Sequence, residues 1–417
     1  MNRVVRIGML GSGFVADFYM DGLRDVPGTE VVANYSRSEE RATEFGKRHG
    51  VARQYTSMEE LCQDHEVELV VIGLPNHLHL PAVRAAASAR KAMVCTKPLA
   101  RNGHEAAEIV NLARDAGVMH GYAETEVFSP DVMRARQMIE SGAIGEVLTV
   151  RAREAHSGPH AQHFWDAETA GGGALLDMGC HTVEAARYFF GKEHRIKDVF
   201  AWGATMVHKD RTTGEDNAVL LLRLEDGRTS LTEASWTAKG GMELRNEVYG
   251  TMGRIVTDTS STRIRAFIQQ PAGYLMEKAD ADVGWVFPIP DEARVYGYHE
   301  EMRHFVECFV KGEQPREDFV DGYIVNSVLD AAYKSMKSGH WEAVHIDSKV
   351  SLNTGSPVAL PKSAINTVTG ACAVGGEEGT ELRTREITPK ASETPTTSAN
   401  PAAQFRYGDI FRSRAFN

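Results

Sequence analysis

The chain opens on Val4-Val5-Arg6-Ile7-Gly8-Met9-Leu10-Gly11-Ser12-Gly13-Phe14-Val15-Ala16, an apolar run broken by glycines and followed at once by a helical pattern. Few arrangements satisfy such a stretch: a buried strand, a tight turn, and a helix packed back on the strand. Gly11 lets the chain turn, Gly13 lets backbone N–H groups approach a pyrophosphate, and the small Ala16 lets the helix lie close to the strand. Phe14 and Val15 begin that helix, whose N-terminus offers partial positive charge to phosphates. Glycine turns between strand and helix are common. A chain that starts on the strand with G-x-G-x-x-A directly behind it points to dinucleotide binding.

Strand-like runs recur at Val31-Val32-Ala33, Leu69-Val70-Val71-Ile72 and Ala92-Met93-Val94-Cys95, separated by helical stretches over 38–49, 79–89 and 102–116. Continuous apolar strands between helices mean a parallel sheet buried on both faces, so residues 1–123 are expected to form an α/β, doubly wound domain. The pattern changes near Ser129-Pro130. After a helix to about Ser141 come alternating segments over 146–154, 198–207, 218–225, 229–237, 243–249 and 255–258, with glycine turns between them. These predict a second α/β domain, 124–347, around an open, mostly antiparallel sheet whose free face packs on a partner subunit. Helical stretches over 297–310 and 319–338 are expected to return to the first domain. From Glu342 to Gln404 there is no aromatic residue, so 348–417 reads as an extended arm. Its end, Phe405-Arg406-Tyr407-Gly408-Asp409-Ile410-Phe411, can dock on the same or a neighbouring subunit or remain a disordered terminus.

The 417 residues suffice for two domains plus this tail. A net charge of −11 argues against nucleic acid as a partner, and no run reaches the roughly 18 apolar residues of a membrane span. Five cysteines lack any C-x-x-C spacing, which suits reduced thiols. With a first strand that the fold needs and no leader pattern ahead of it, a cytoplasmic enzyme is expected.

Candidate chemistry gathers at strand ends. The fourth strand runs into Leu74-Pro75-Asn76-His77-Leu78-His79, at the edge where doubly wound sheets bind ligands. Pro75 fixes the turn, and Asn76 and His79 can donate hydrogen bonds near a cofactor, unless His79 merely starts a helix. The next strand ends in Cys95-Thr96-Lys97-Pro98, where the Lys97 ammonium can hold and polarise a substrate oxygen. In Gly171-Gly172-Gly173-Ala174-Leu175-Leu176-Asp177-Met178-Gly179-Cys180-His181, three glycines open a helix that carries Asp177 and His181 at i and i+4 on one face. Such a carboxylate and imidazole can orient each other and move a proton near neutral pH.

Together, Gly11-x-Gly13-x-x-Ala16, Pro75-Asn76-x-x-His79, Lys97-Pro98 and the Gly171-to-His181 segment resemble the Gfo/Idh/MocA oxidoreductases, over about residues 4–345. The resemblance implies a Rossmann domain, a second α/β domain with an open sheet, NAD or NADP as cofactor, and a sugar or polyol substrate. It implies that Lys97, Asp177 and His181 form the catalytic set, with the histidine as acid/base. It further implies a dehydrogenase. A glycosidase working by transient oxidation, or a cofactor-binding regulator without activity, are alternatives within the same fold, and retention of the three residues argues against the regulator.

Two departures bear on the site. Thr96 stands where family members usually have glutamate. The segment Tyr122-Ala123-Glu124-Thr125-Glu126-Val127-Phe128-Ser129-Pro130 lacks the arginine many members carry before the proline, and its carboxylates, Glu124 first, can bind sugar hydroxyls or be solvated. Ala33-Asn34-Tyr35-Ser36-Arg37 ends the second strand without the acidic residue that would repel a 2′-phosphate, so Ser36 and Arg37 allow NADP as well as NAD. The segment from Arg153 to Trp165 is expected to be a specificity loop. Arg153, His156 and His160 would supply donors for a sugar, above all an anionic one, and Trp165 an apolar face for its ring. His156, His160 and His163 also have a loose metal-ligand spacing, but Gly158-Pro159 interrupts them and no metal is expected. The partners expected are a small-molecule substrate and further copies of the chain, as a dimer or tetramer.

Overall fold

Six strands separated by helices form one parallel sheet: β1 (Val5–Leu10), β2 (Thr29–Tyr35), β3 (Arg53–Tyr55), β4 (Leu69–Ile72), β5 (Ala92–Thr96) and β6 (His120–Ala123). Their order is β3-β2-β1-β4-β5-β6, with every neighbouring pair parallel. The helices α1 (Phe14–Arg24), α2 (Glu39–His49), α3 (Met58–Gln63), α4 (His79–Ser88) and α5 (Gly103–Ala116) connect them. The strand order reverses between β1 and β4, so their carboxyl ends open a crevice there. Local signals set the helix ends: the Asn102 side chain accepts from Glu105 N at 2.9 Å to start α5, and Gly117, at φ 66°, stops it. The computed structural model describes residues 3–259, 264, 266–270, 283–286, 288–289, 291–348 and 350.

After α6 (Pro130–Glu140) the chain builds a second sheet from β7 (Val147–Ala155), β8 (Ile196–Ala204), β9 (Asn217–Leu224), β10 (Thr229–Ser235), β11 (Glu243–Gly250) and β12 (Arg254–Asp258). Between β7 and β8 lie α7 (Ala167–Ala170) and α8 (Ala174–Phe190). An antiparallel pair, β13 (Ala266–Ile268) with β14 (Gly284–Val286), precedes α9 (Glu292–Val295), α10 (Tyr298–Lys311), α11 (Phe319–Ser338) and the edge strand β15 (Glu342–Ala343). The sheet order is β12-β11-β7-β10-β9-β8-β15, and only β7 with β10 runs parallel.

One face of this sheet packs on α8 and α11 through Val199, Leu220, Leu222, Val183, Phe189, Val328 and Leu329, all buried. Burying each such large apolar side chain is worth roughly 1.5–3 kcal/mol. The other face is open and leaves Leu148, Phe200, Trp202 and Leu221 exposed. Both late helices return to the first sheet, as their sequence placement predicts. Tyr298 of α10 stacks on Phe18 of α1 at 4.7 Å, and an added Cβ on Gly22 would meet Tyr298 O at 2.6 Å, so glycine permits that approach. In α11, Asn326 exchanges hydrogen bonds with Ala100 N and O at 3.3 and 2.9 Å, while Ser335 Oγ accepts from Ala201 N of β8 at 2.9 Å. One helix thus ties the two sheets together. The expected arm over 348–417, apart from 348 and 350, lies outside the described residues.

Candidate active site

Between the carboxyl edge of the parallel sheet and α8 lies a cleft of about 620 Å³. One end of it is built by the glycine turn. Gly11 sits at φ +132°, and a Cβ there would lie 2.2 Å from Gly73 O, so only glycine fits between β1 and β4. Gly13, the N-cap of α1, has nothing within 4 Å of where its Cβ would be and lines the cleft, as do Phe14 and Val15. Free space over a helix N-terminus with bare backbone is what a pyrophosphate requires, so these residues fit the dinucleotide that the motif implies. Ala16 is fully buried and packs, facing Gly73. Ser12 Oγ donates to Ser36 Oγ at 2.9 Å, tying the turn to the end of β2, and Arg37 lines the cleft there together with Arg41.

Further along, Leu74, Pro75, Asn76, Thr96 and Lys97 line the cleft. Asn76 Nδ2 donates to Ala170 O at 2.8 Å, which joins the β4 loop to α7. His79 does not reach the cleft. It is fully buried, with Nε2 2.7 Å from Leu74 O and Nδ1 3.0 and 3.2 Å from Pro98 O and Leu99 O. The expectation of a cofactor donor is corrected: its polar atoms fasten the ends of β4 and β5, the helix-start alternative in a more structural form.

Lys97 Nζ donates to Asp177 Oδ1 at 3.0 Å and to Asp177 O at 2.8 Å. Burial works against the ammonium charge, but the carboxylates of Asp177 and Glu154 and the Cys180 thiol outweigh it and hold the pKa above its ordinary value. Asp177 Oδ2 accepts from Trp236 Nε1 at 3.0 Å. The helix bearing Asp177 is anchored at its start by Glu215, whose Oε1 accepts from Gly173 N and Leu175 N at 3.1 and 2.9 Å. An added Cβ on Gly172 would meet Tyr333 Oη at 2.0 Å, and one on Gly173 would meet Glu215 O at 2.1 Å, which is why glycines open α8.

His181 lines the same cleft but does not engage Asp177. Its Nδ1 faces Oε1 of Glu124, and its Nε2 stands 4.0 Å from Glu154 Oε2. Burial, reinforced by the Lys97 charge, lowers the imidazole pKa to about 3. Burial likewise pushes the Glu124 carboxyl up to about 8. The expected mutual orientation at i and i+4 is therefore replaced by two separate pairs, Lys97 with Asp177 and Glu124 with His181. Glu124 itself is fully buried behind the imidazole, with Oε2 accepting from Val127 N at 3.3 Å, and is not among the cleft-lining residues. Its expected contact with substrate is corrected to a contact with His181.

The segment from Arg153 to Trp165 divides. His156, His160 and His163 line the cleft: His156 is buried, with Nδ1 accepting from Gly158 N at 3.0 Å, and the exposed His160 lies against the Phe14 ring at 5.1 Å. Arg153 is on the opposite face of β7, where it pairs with Glu233 at 2.6 Å and Glu243 at 3.1 Å. Trp165 is buried against Trp236 at 5.3 Å, with the Arg211 guanidinium 3.7 Å over its ring. Neither lines the cleft. Their expected substrate contacts are corrected, and the aromatic side chain of this stretch that lines the cleft is Phe164, whose ring centroid is 5.9 Å from Lys97 Nζ. Sequence reasoning also passed over Glu154, Tyr296 and Tyr298 as cleft residues. For Glu154 a signal existed: along β7, Val150, Ala152 and Glu154 share the buried parity, whereas Arg151 and Arg153 share the other.

Residues 5–123 match the oxidoreductase family with an NAD-binding Rossmann fold, and residues 132–256 match the GFO/IDH/MocA C-terminal domain. The chain belongs to the Gfo/Idh/MocA oxidoreductase family. Among its relatives, myo-inositol 2-dehydrogenase of Thermotoga maritima is 27% identical over 338 residues, covering 80% of this chain and 96% of that one. Levoglucosan dehydrogenase of Pseudarthrobacter phenanthrenivorans is 26% identical over 388 residues, covering 81% and 97%. Among solved structures, GenD2 from gentamicin A biosynthesis in complex with NAD superposes with a TM-score of 0.78 at 27% identity, covering 83% of this chain and 98% of that one. Levoglucosan dehydrogenase in complex with NADH and levoglucosan superposes with a TM-score of 0.69 at 25% identity, covering 82% and 100%. As a member of this family the chain is an NAD-binding oxidoreductase, and no helix among the described residues is long and apolar enough to cross a membrane.

Proposed function

We propose that the protein oxidises a secondary hydroxyl of a sugar, sugar derivative or cyclic polyol to the ketone, with NAD or NADP as acceptor, and catalyses the reverse reduction. The observation that carries this reading is the meeting of Lys97, Asp177 and His181 in the same cleft as the Gly11-to-Val15 turn. Relatives that act on inositol and levoglucosan are consistent with it. In this reading residues 1–123 hold the cofactor, and 124–347, together with Lys97, hold the substrate.

A bound nicotinamide dinucleotide would be held by the Gly11-to-Val15 turn and the Leu74-to-Asn76 loop and would supply the hydride acceptor for the carbinol carbon. Lys97, held by Asp177, donates to the substrate oxygen and stabilises negative charge as the O–H bond breaks. Nε2 of His181 takes the hydroxyl proton, which requires that Nδ1 carry the other proton and donate it to Glu124. Glu124 is thus a positioning residue that sets the tautomer. Trp236, by donating to Asp177, keeps that carboxylate turned toward Lys97.

The second strand supplies no acidic residue at its end, and Arg37 and Arg41 lie at that end of the cleft, so either cofactor is accommodated. We further propose a cytoplasmic homo-oligomer, a dimer or tetramer. Four buried free thiols (Cys62, Cys95, Cys180, Cys308) suit a reducing compartment, and the exposed apolar residues of the open sheet face suit self-association. The net charge of −11 weighs against nucleic acid as a partner. The test is a panel of sugars, cyclitols and glycosides assayed for both cofactor reduction and aglycone release. Cofactor reduction with a ketone product supports the reading. Aglycone release without net cofactor change would replace it with redox-assisted hydrolysis.

A further inference from the structure

The floor of the cleft beside His181 carries two carboxyl groups, each with an oxygen that no hydrogen bond satisfies. Glu126, from the turn after β6, and Glu154, from β7, are 5% and 2% exposed, and both line the cleft. Glu126 Oε1 accepts from Asn246 Nδ2 at 2.8 Å, but its Oε2 has no hydrogen-bond partner, and Oε2 of Glu154 has none either. Lys97, which reaches the same floor, is engaged by Asp177. Burial, with repulsion from Glu124, pushes Glu126 up to about 7; burial also raises Glu154 well above its ordinary value, against the pull of Lys97.

Such a floor discriminates among substrates. A buried carboxyl oxygen left without a donor is costly, and a neutral hydroxyl offers it only a dipole. An ammonium brings three donors to oxygens that lack one, and a full charge that adds to the pull Lys97 exerts on Glu154. The anionic preference expected from Arg153 has no support here, because that guanidinium is paired on the far face of the sheet.

We propose that the substrate is an amino sugar or aminocyclitol whose protonated amine is received by Glu154 and Glu126. This rests on the dehydrogenase reading above. Its position follows from the geometry. The reacting hydroxyl lies at hydrogen-bond distance from His181 Nε2, and Glu154 Oε2 is 4.0 Å from that same nitrogen, so the amine stands on a carbon next to the carbinol or one beyond it. The amine is bound, and the carbinol is what is oxidised.

The test uses the full chain and matched triplets: a free-amine sugar or cyclitol, its N-acetyl derivative, and its hydroxyl counterpart. Both kcat/KM with NAD(P)+ and calorimetric binding to the NAD(P)H-loaded protein are measured, in chelator and again with added Mg2+, Mn2+ or Zn2+. The expected result is a preference of about tenfold or more for the free amine over both partners, without any metal. The ratio should fall toward one in Glu154→Gln, be retained in Glu154→Asp, and shrink in Glu126→Gln. These ratios are internal to each variant, so a general loss of activity does not mimic them. Equal or better use of the neutral members by wild type would overturn the proposal. So would activity that required an added divalent ion without any amine preference, since Glu124, Glu126 and His181 are close enough to ligate one. Amine-selective binding without any turnover would leave the proposal standing and overturn the dehydrogenase reading instead.

Discussion

Nδ1 of His181 faces Oε1 of Glu124, fifty-seven positions earlier in the chain, and this contact decides which imidazole nitrogen is available to substrate. With the Glu124 carboxyl pushed up to about 8 by burial, the acid holds its proton at lower pH and donates it to Nδ1, so Nε2 carries hydrogen and cannot act as a base. Above that range the carboxylate accepts from Nδ1–H, and Nε2 is free. For alcohol oxidation, kcat/KM should therefore rise between about pH 7 and 9. Glu124→Gln should flatten this limb and lower turnover at pH 9 by about tenfold or more. A limb centred near 6.5, the ordinary imidazole value, that persists in Glu124→Gln would show that the pair does not set the tautomer.

Arg153 provides a contrasting case. Its guanidinium spans Glu233 and Glu243 on the open face of the sheet, and a half-exposed pair of this kind is worth about 0–1 kcal/mol. Arg153→Ala should leave kcat/KM within about twofold for neutral, anionic and cationic substrates alike and shift thermal unfolding only slightly. A selective loss on anionic substrates would restore the loop-donor expectation.

Ser36 and Arg37 line the cleft at the end of β2, and the proposed cofactor reading puts the adenosine ribose there. Arg37→Ala should weaken NADP more than NAD by about 1–3 kcal/mol, the value of a charge-assisted contact. Equal weakening of both in a fluorescence titration would place the guanidinium elsewhere.

The open sheet face leaves Trp202 49% exposed and Leu221 41% exposed. If it forms the subunit interface, light scattering at micromolar concentration should give a dimer or tetramer mass. Trp202→Asp with Leu221→Asp should reduce it toward the monomer. A monomer mass for the unaltered chain would reject the interface.

The fold was legible because its signals are local. The central buried strands read as unbroken apolar runs, and Gly11 and the glycines at 171–173 stand where a Cβ would strike Gly73, Arg101, Tyr333 or Glu215. That Lys97, Asp177 and His181 share one cleft was expected from the resemblance, although their pairing was not. Asp177 and His181 share a helix face, yet their partners, Lys97 and Glu124, come from strand ends distant in sequence. The errors in the 153–165 segment have separate physical sources. Arg153 falls within the strand expected over 146–154 and was read as a donor for the substrate, but strand parity turns it away from the cleft and Glu154 toward it. Trp165, read as a sugar platform, fills the space against Trp236 that Gly158 leaves open.

The most direct test follows a hydride. A sugar or cyclitol substrate deuterated at its carbinol carbons is incubated with NAD+ and the protein, and the reduced cofactor is examined by mass spectrometry and NMR. Direct transfer predicts deuterium at nicotinamide C4 with wild type. For His181→Ala it predicts at least about a hundredfold slower appearance of that label, with NAD binding unchanged. Reduced cofactor that carried no deuterium, or a His181→Ala rate above about a tenth of wild type, would contradict the assignment of this cleft as the site of hydride transfer with His181 as its base.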